Sequence, residues 1–202
     1  TGMGFEKFYG FLDGETDQFE PTLYDGTSQV VRPKGANYHL TEDMASRAIA
    51  WMGQQKALAP DKPLFVYFAP GATHAPLQAP KEWIDRFRGQ FDQGWDKRRV
   101  ESLARQKSLG VVPAAAQLTP RPAQLPAWDS FTPAQQRVAA RLMEVYAGFM
   151  AHTDEQIRRV VAALKDLGEF ENNLFFYIVG DNGASGEGGL KRSLNVMGNL
   201  QG

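Results

Sequence analysis

The stretch "FFYIVGDNGASGEGG", residues 175–189, decides how the chain is to be folded. An apolar, aromatic run stops at Gly180, Asp181 and Asn182 follow at once, and glycines stand at 183, 186, 188 and 189. A strand that ends in an acid and an amide delivers two oxygen-bearing side chains to a sheet edge. The small residues after them let the backbone lie close to an ion or an anionic ligand. A carboxylate and an amide carbonyl are the ligand types of a hard divalent cation, calcium or magnesium, although calcium takes about six to eight oxygens. Asn-Gly is also a common turn pair, so a plain turn stays open on these residues alone.

The run "LFFYIV" (174–179) has an earlier counterpart in "LFVYFA" (64–69), and both predict short buried strands. Helical patterns lie between and around them. "LTEDMASRAIAWMGQQKAL" predicts a helix with Thr41 as N-cap, acids at 42 and 43 in its first turn, and Met44, Ala48, Ile49 and Met52 on one face. "KEWIDRFRGQF" and "WDKRRVESLARQKSLG" also have helical patterns. The longest helical pattern runs from Thr132 and Pro133, suited to a cap and first turn, to a stop at Gly168. Residues 1–40, rich in glycine and aromatics, predict irregular structure with a hairpin near Asp25-Gly26. The stretch 111–133 holds five of the twelve prolines; from Pro113 to Pro133 it predicts an irregular excursion inside one domain spanning 1–202. Strand, helices, helix, strand is the order of an α/β fold, with a mostly parallel central sheet flanked by helices.

In such folds ligands gather beyond the C-terminal ends of the strands. Parallel neighbours would bring "APGATHAP", with His74, to the same sheet edge as "GDNGASGEGG". That convergence marks the candidate site. His74 taken alone also fits a structural hydrogen-bonder. His39 fits a support for the first helix, and His152, mid-helix, a satisfied structural histidine. Lys97, Arg98 and Arg99 fit a solvated helix face. Met143, Phe149 and Met150 fit the core, and Glu187 an exposed acid.

Composition narrows the partners. The formal net charge of −1 over 202 residues argues against a general nucleic-acid surface. No apolar run reaches the length of a membrane span. No signal-peptide pattern stands out, and the compartment stays open. Zero cysteines exclude disulfides, thiolate metal sites and a cysteine nucleophile within the chain.

Taken together, "KPLFVYFAPGATHAPLQAPKEWIDRFRGQFDQGWDKRRVESLARQKSLG", "MEVYAGFMAHTDEQIRRVV" and "FFYIVGDNGASGEGG" resemble the type I sulfatases. The opening "GFEKFYGFLDGETDQFEPTLYDG" is similar to the arylsulfatase branch, and the resemblance runs in order along nearly the whole chain. It implies the alkaline phosphatase superfamily fold and a sulfuric ester hydrolase acting on a sulfate-ester small molecule or a sulfated carbohydrate. It also implies that Asp181 and Asn182 match the family's calcium-binding pair, and that His74 matches the histidine that contacts the sulfate group and protonates the leaving oxygen. The formylglycine nucleophile of that family is made by a dedicated generating system from Cys/Ser-x-Pro-x-Arg. This chain holds no cysteine and no Ser-x-Pro-x-Arg, nor the family's early Asp-Asp pair. Lys191 follows the DNG loop too closely to match the family's later active-site lysine. The expectation is an internal part of a sulfatase, inactive by itself. Two alternatives remain: a phosphodiester or phosphonate monoester hydrolase of the same superfamily, and a non-catalytic anion- or nucleotide-binding domain. The latter lacks the G-x-G-x-x-G spacing it needs.

Overall fold

The computed structural model describes residues 3–35 and 37–180. Asp181, Asn182, Glu187 and Lys191 therefore lie outside the described residues. Three short antiparallel strands come first: β1 (Tyr9–Gly10), β2 (Leu23–Asp25) and β3 (Ser28–Val30), in the order β1-β2-β3. Asp25 pairs with Ser28 across a two-residue turn at the expected hairpin. Gly26 has φ of +63°, the sign that a type II′ turn needs at its first central residue.

Four helices follow: α1 (Leu40–Leu58), α2 (Lys81–Asp85), α3 (Gly94–Ser108) and α4 (Pro133–Asp166). At its start α4 is closed by a reciprocal box. Thr132 Oγ1 accepts from the Gln135 N–H at 3.3 Å, and Gln135 Oε1 accepts from the Thr132 N–H at 2.9 Å. At its end Gly168, with φ of +70°, donates to the Lys165 carbonyl while the Glu169 N–H reaches the Leu164 carbonyl, both at 3.0 Å. That pair of bonds is a Schellman stop. The cap of α1 differs from expectation. His39, not Thr41, is the N-cap, and its Nδ1 accepts from the Thr41 N–H at 3.2 Å. Thr41 instead sits buried in the first turn.

Helix α4, about 50 Å long at 1.5 Å per residue, is the spine. Three apolar clusters lie along it. Ala140 packs with Phe91 and Trp128 near its start. Val145 and Phe149 pack with Leu77 and Ala79 in the middle. Val160 packs with Ala45 and Met52 of α1 toward the end. At Gly148 the fit is close: a Cβ there would stand 2.7 Å from the Cα of Ile84, so α2 lies directly on the α4 backbone. Of the three residues expected in the core, only Phe149 is buried; Met143 and Met150 are exposed.

The predicted buried strands are not found as such. Among the described residues neither 64–69 nor 174–179 joins a strand ladder, and the only sheet is the small antiparallel one. Leu64 and Phe68 pack toward the α1–α4 cluster, whereas Phe65 and Tyr67 are each 74% exposed. Ile178 is 87% exposed, and Tyr177, also exposed, donates its hydroxyl to Asp154 Oδ1 at 3.1 Å. The reason is physical. An unbroken apolar run is the pattern of a strand covered on both faces, and helices here cover one face of 64–69 only.

Candidate active site

His74 lies in the loop that leads from "LFVYFA" toward α2. Its own N–H donates to the Gly71 carbonyl at 2.9 Å, which tightens the turn. The peptide bonds Ala72–Thr73 and Ala75–Pro76 are cis. The ring is half-buried, and Nδ1 stands 2.9 Å from the Ala75 carbonyl and 3.5 Å from Glu15 Oε2. These two described neighbours are oxygens that accept, so Nδ1 carries the proton in the neutral ring. Nε2 is then the lone-pair nitrogen of the neutral ring.

A polar net holds this loop against two distant segments. The Gln18 N–H donates to Gln78 Oε1 at 2.7 Å, and Gln78 Nε2 donates to Asp17 Oδ2 at 2.7 Å. Asp17 Oδ1 also accepts from the backbone N–H groups of Phe19 and Glu20, each at 2.8 Å. Burial alone would raise the Asp17 pKa; the hydrogen bonds from Gln78, Glu20 and Phe19 outweigh it and hold the carboxyl below its usual range. The Gln18 carbonyl in turn accepts from the Leu40 N–H at 2.8 Å, which ties the net to the start of α1.

His39 closes the net from the other side. Its Nδ1 is occupied as the α1 cap, so its Nε2 donates to the Gln78 carbonyl at 3.2 Å. Both ring nitrogens are used by the neutral form. Burial, and then repulsion from His152, push the His39 pKa down to about 4. The His152 ring stands edge-on to His39 with centroids 4.4 Å apart, and its Nε2 lies 2.9 Å from Glu42 Oε1. The expected supporting role of His39 is visible in these contacts; His152, expected to be satisfied, is bonded at Nε2, but its Nδ1 is buried without a hydrogen-bond partner among the described residues. One ring links helix cap to site loop; the other backs it.

The residues around His74 were not legible beforehand. Glu15 and Asp17 lie in a segment without helical or strand periodicity, some sixty positions from their partners in the loop. Their only sequence signal was acidity among turn formers, and that does not name a partner. Among the described residues no group of three or more His, Asp and Glu side chains could hold a metal. The predicted ligands Asp181 and Asn182 fall outside those residues. Their donor chemistry, a carboxylate and an amide carbonyl, suits calcium, but as two oxygens of a larger set.

The sequence profile of the sulfatases matches residues 1–199. The chain belongs to the sulfatase family. It is 34% identical over 192 residues to an arylsulfatase of Klebsiella aerogenes, a match that covers 90% of this chain and 40% of that protein. An uncharacterized sulfatase of Schizosaccharomyces pombe is 35% identical over 189 residues, covering 92% of this chain and 33% of the relative. The chain thus spans well under half the length of these relatives. In three dimensions it is similar to a solved structure described as a sulfatase, yidJ of Bacteroides fragilis. The TM-score is 0.54 at 17% identity, over 84% of this chain and 30% of that one. That likeness assigns the chain a sulfatase fold. Among the described residues, no helix is long and apolar enough to cross a membrane.

Proposed function

We propose that this chain is part of the catalytic domain of an arylsulfatase-type sulfuric ester hydrolase, with His74 as the proton donor to the departing ester oxygen. The family match along residues 1–199 carries this reading. The geometry of His74 supports it: Nδ1 is held on accepting oxygens, so the ring is oriented and Nε2 is the proton-exchanging atom. A positioned imidazole that protonates a leaving oxygen contributes about 10²–10⁴-fold to such a reaction. Glu15, across Nδ1, lies within ion-pair range of the ring once it is protonated. The net of Gln18, Gln78, Asp17 and His39 keeps the loop backbone in place while the proton moves.

In this reading Asp181 and Asn182 contribute two oxygens to a calcium site. Bound there, the ion would neutralise charge on sulfate oxygens. The formylglycine nucleophile, made by a separate generating system that acts on the intact enzyme, belongs to sequence outside these 202 residues, which hold neither of its precursor motifs. The substrate is a sulfate ester, of an aryl alcohol or a carbohydrate.

The test uses full-length protein and compares hydrolysis of an aryl sulfate, an aryl phosphate and an aryl phosphodiester. Wild type, His74→Ala and Asp181→Ala are assayed side by side. Sulfate turnover that falls at least about a hundredfold in His74→Ala, and is also lost in Asp181→Ala, upholds the proposal. Preference for a phosphorus ester moves the protein to a sister hydrolase. Turnover indifferent to both substitutions removes these residues from the site.

A further inference from the structure

The cluster Lys97-Arg98-Arg99 has the sequence pattern of a solvated helix face, yet only Lys97 is exposed, while Arg98 and Arg99 are half-buried. Arg98 and Arg99 form one wall of a cleft of about 390 Å³ between α3 and the proline-rich excursion. Its floor is aromatic and apolar: Phe91, Trp95 and Trp128, with Ala140 of α4 beneath. Leu103 of α3 lines it as well, and Leu118 and Met143, both partly exposed, stand at its rim.

The cleft is built, not left over. Trp95 and Trp128 meet edge-on with centroids 4.8 Å apart, and Phe131 meets Trp95 at 5.3 Å. Gly94 has no Cβ because the Trp128 ring occupies its place, 2.2 Å from where that atom would sit. The excursion is pinned over this floor at separate points. Trp95 Nε1 donates to the Pro126 carbonyl at 3.1 Å, and the Trp128 N–H donates to Asp96 Oδ2 at 2.9 Å. Arg99 Nη2 donates to the Thr119 carbonyl at 2.7 Å and to its hydroxyl at 3.1 Å.

The charges on the wall have one sign. Among the described residues, no carboxylate lines the cleft. Of the nearby acids, Asp96 is engaged by Arg121 and the Trp128 N–H, and Glu101 Oε2 stands 3.8 Å from Arg98 Nη1. The Arg98 guanidinium carbon lies 5.4 Å from the centre of the Phe91 ring, a cation–π contact. Arg99 uses one of its nitrogens on Thr119. A guanidinium has five donors in a planar fork, suited to a carboxylate or a sulfonate.

We propose that this cleft is a second ligand site, one that binds a planar aromatic anion with its ring among Phe91, Trp95 and Trp128 and its anionic group on Arg98 and Arg99. The volume falls within the usual span of small-molecule sites, about 300–1,000 Å³. None of the lining residues belongs to the loop that carries His74. The site therefore stands whether or not His74 is catalytic.

The experiment titrates full-length protein with naphthalene-2-sulfonate and, in parallel, with the uncharged 2-naphthyl methyl sulfone. Tryptophan fluorescence and the indole N–H resonances are followed. The sulfonate is expected to shift Trp95 and Trp128, leave Trp51 and Trp83 unmoved, and bind roughly tenfold more tightly than the sulfone, since the difference is charge-assisted hydrogen bonding. Arg98→Gln with Arg99→Gln is expected to remove that preference, and Arg98→Lys with Arg99→Lys to keep part of it. Leu103→Trp, which fills the cleft, is expected to abolish binding, while His74→Ala binds as wild type does. Equal affinity for the two probes, no binding at millimolar concentration, loss of binding in His74→Ala, or an unchanged sulfonate affinity in the double glutamine variant would each overturn the proposal.

Discussion

Two proline-rich segments, irregular apart from one 3-10 turn at Trp128–Ser130, are held in contrasting ways. The loop around His74, with prolines at 70, 76 and 80, is fixed by polar bonds to residues far away in sequence: Gln18, Asp17 and the cap residue His39. The excursion from Pro113 to Pro133 is fixed by aromatic packing and by ties to the adjacent helix α3. The first arrangement holds backbone position closely, because hydrogen bonds are directional and several act at once. The second leaves a cleft, because rings that meet edge-on define a surface that prolines, lacking N–H groups, do not fold down upon. The loop that carries His74 and a ligand-sized cleft are matched to these two ways of holding a segment.

The comparison can be broken most forcefully at Gly94. An alanine there would force its Cβ into the Trp128 ring and would also keep a φ of +79°. Clash and backbone strain together are expected to cost on the order of 3 kcal/mol. Chemical denaturation measures it, and a loss under about 0.5 kcal/mol, the size of an ordinary surface substitution, would show that the rings do not pin the excursion.

Next comes acid. His39 titrates at about 4 in the folded chain against 6.5 for the free group, so the unfolded chain binds more protons between those values. Its contribution is complete above pH 6.5 and declines as pH falls toward 4. The full difference is about 3 kcal/mol. Denaturant melts across that window check it, and His39→Gln is expected to flatten the slope.

Gln78→Ala removes a donor and an acceptor from the net and is expected to cost about 1–2 kcal/mol. Because the same residue orders the His74 loop, turnover of full-length protein should fall with little change in KM. A lower stability with unaltered turnover would separate the net from the site.

The smallest effect is expected at Arg121→Gln, which breaks an exposed pair with Asp96. Such pairs are weak and screened by salt. Melting temperature at low and high salt should differ little from wild type; a large loss that salt does not relieve would mean the excursion rests on this pair.

Legibility followed the range of the interactions. Both ends of α4 were readable from Thr132-Pro133 and Gly168, since caps act within a few residues. The hairpin at Asp25-Gly26 was readable for the same reason. The start of α1 was misjudged: threonine is the commoner capper, but the imidazole of His39 faces the Gln78 carbonyl as well, and that second contact lies 39 positions away. His74 was named from its place in the loop after the apolar run 64–69 and by resemblance, although that run forms no strand. Glu15 and Gln18 were not, because no local pattern marks a partner across the fold. The segments 64–69 and 174–179 showed the opposite failure. Their apolar pattern was plain, yet burial depends on neighbours that the pattern does not contain.

Those two segments bear on how the polypeptide is made. Each is a six-residue window rich in aromatic and β-branched residues and free of charge, the composition of sequences that stack into cross-β assemblies. "LFVYFA" leaves the ribosome 110 positions ahead of "LFFYIV", and at about 5–20 residues per second it waits several seconds or longer before its counterpart exists. During synthesis the burden of keeping the first window from its copies on neighbouring nascent chains falls on chaperones and on dilution, not on the fold.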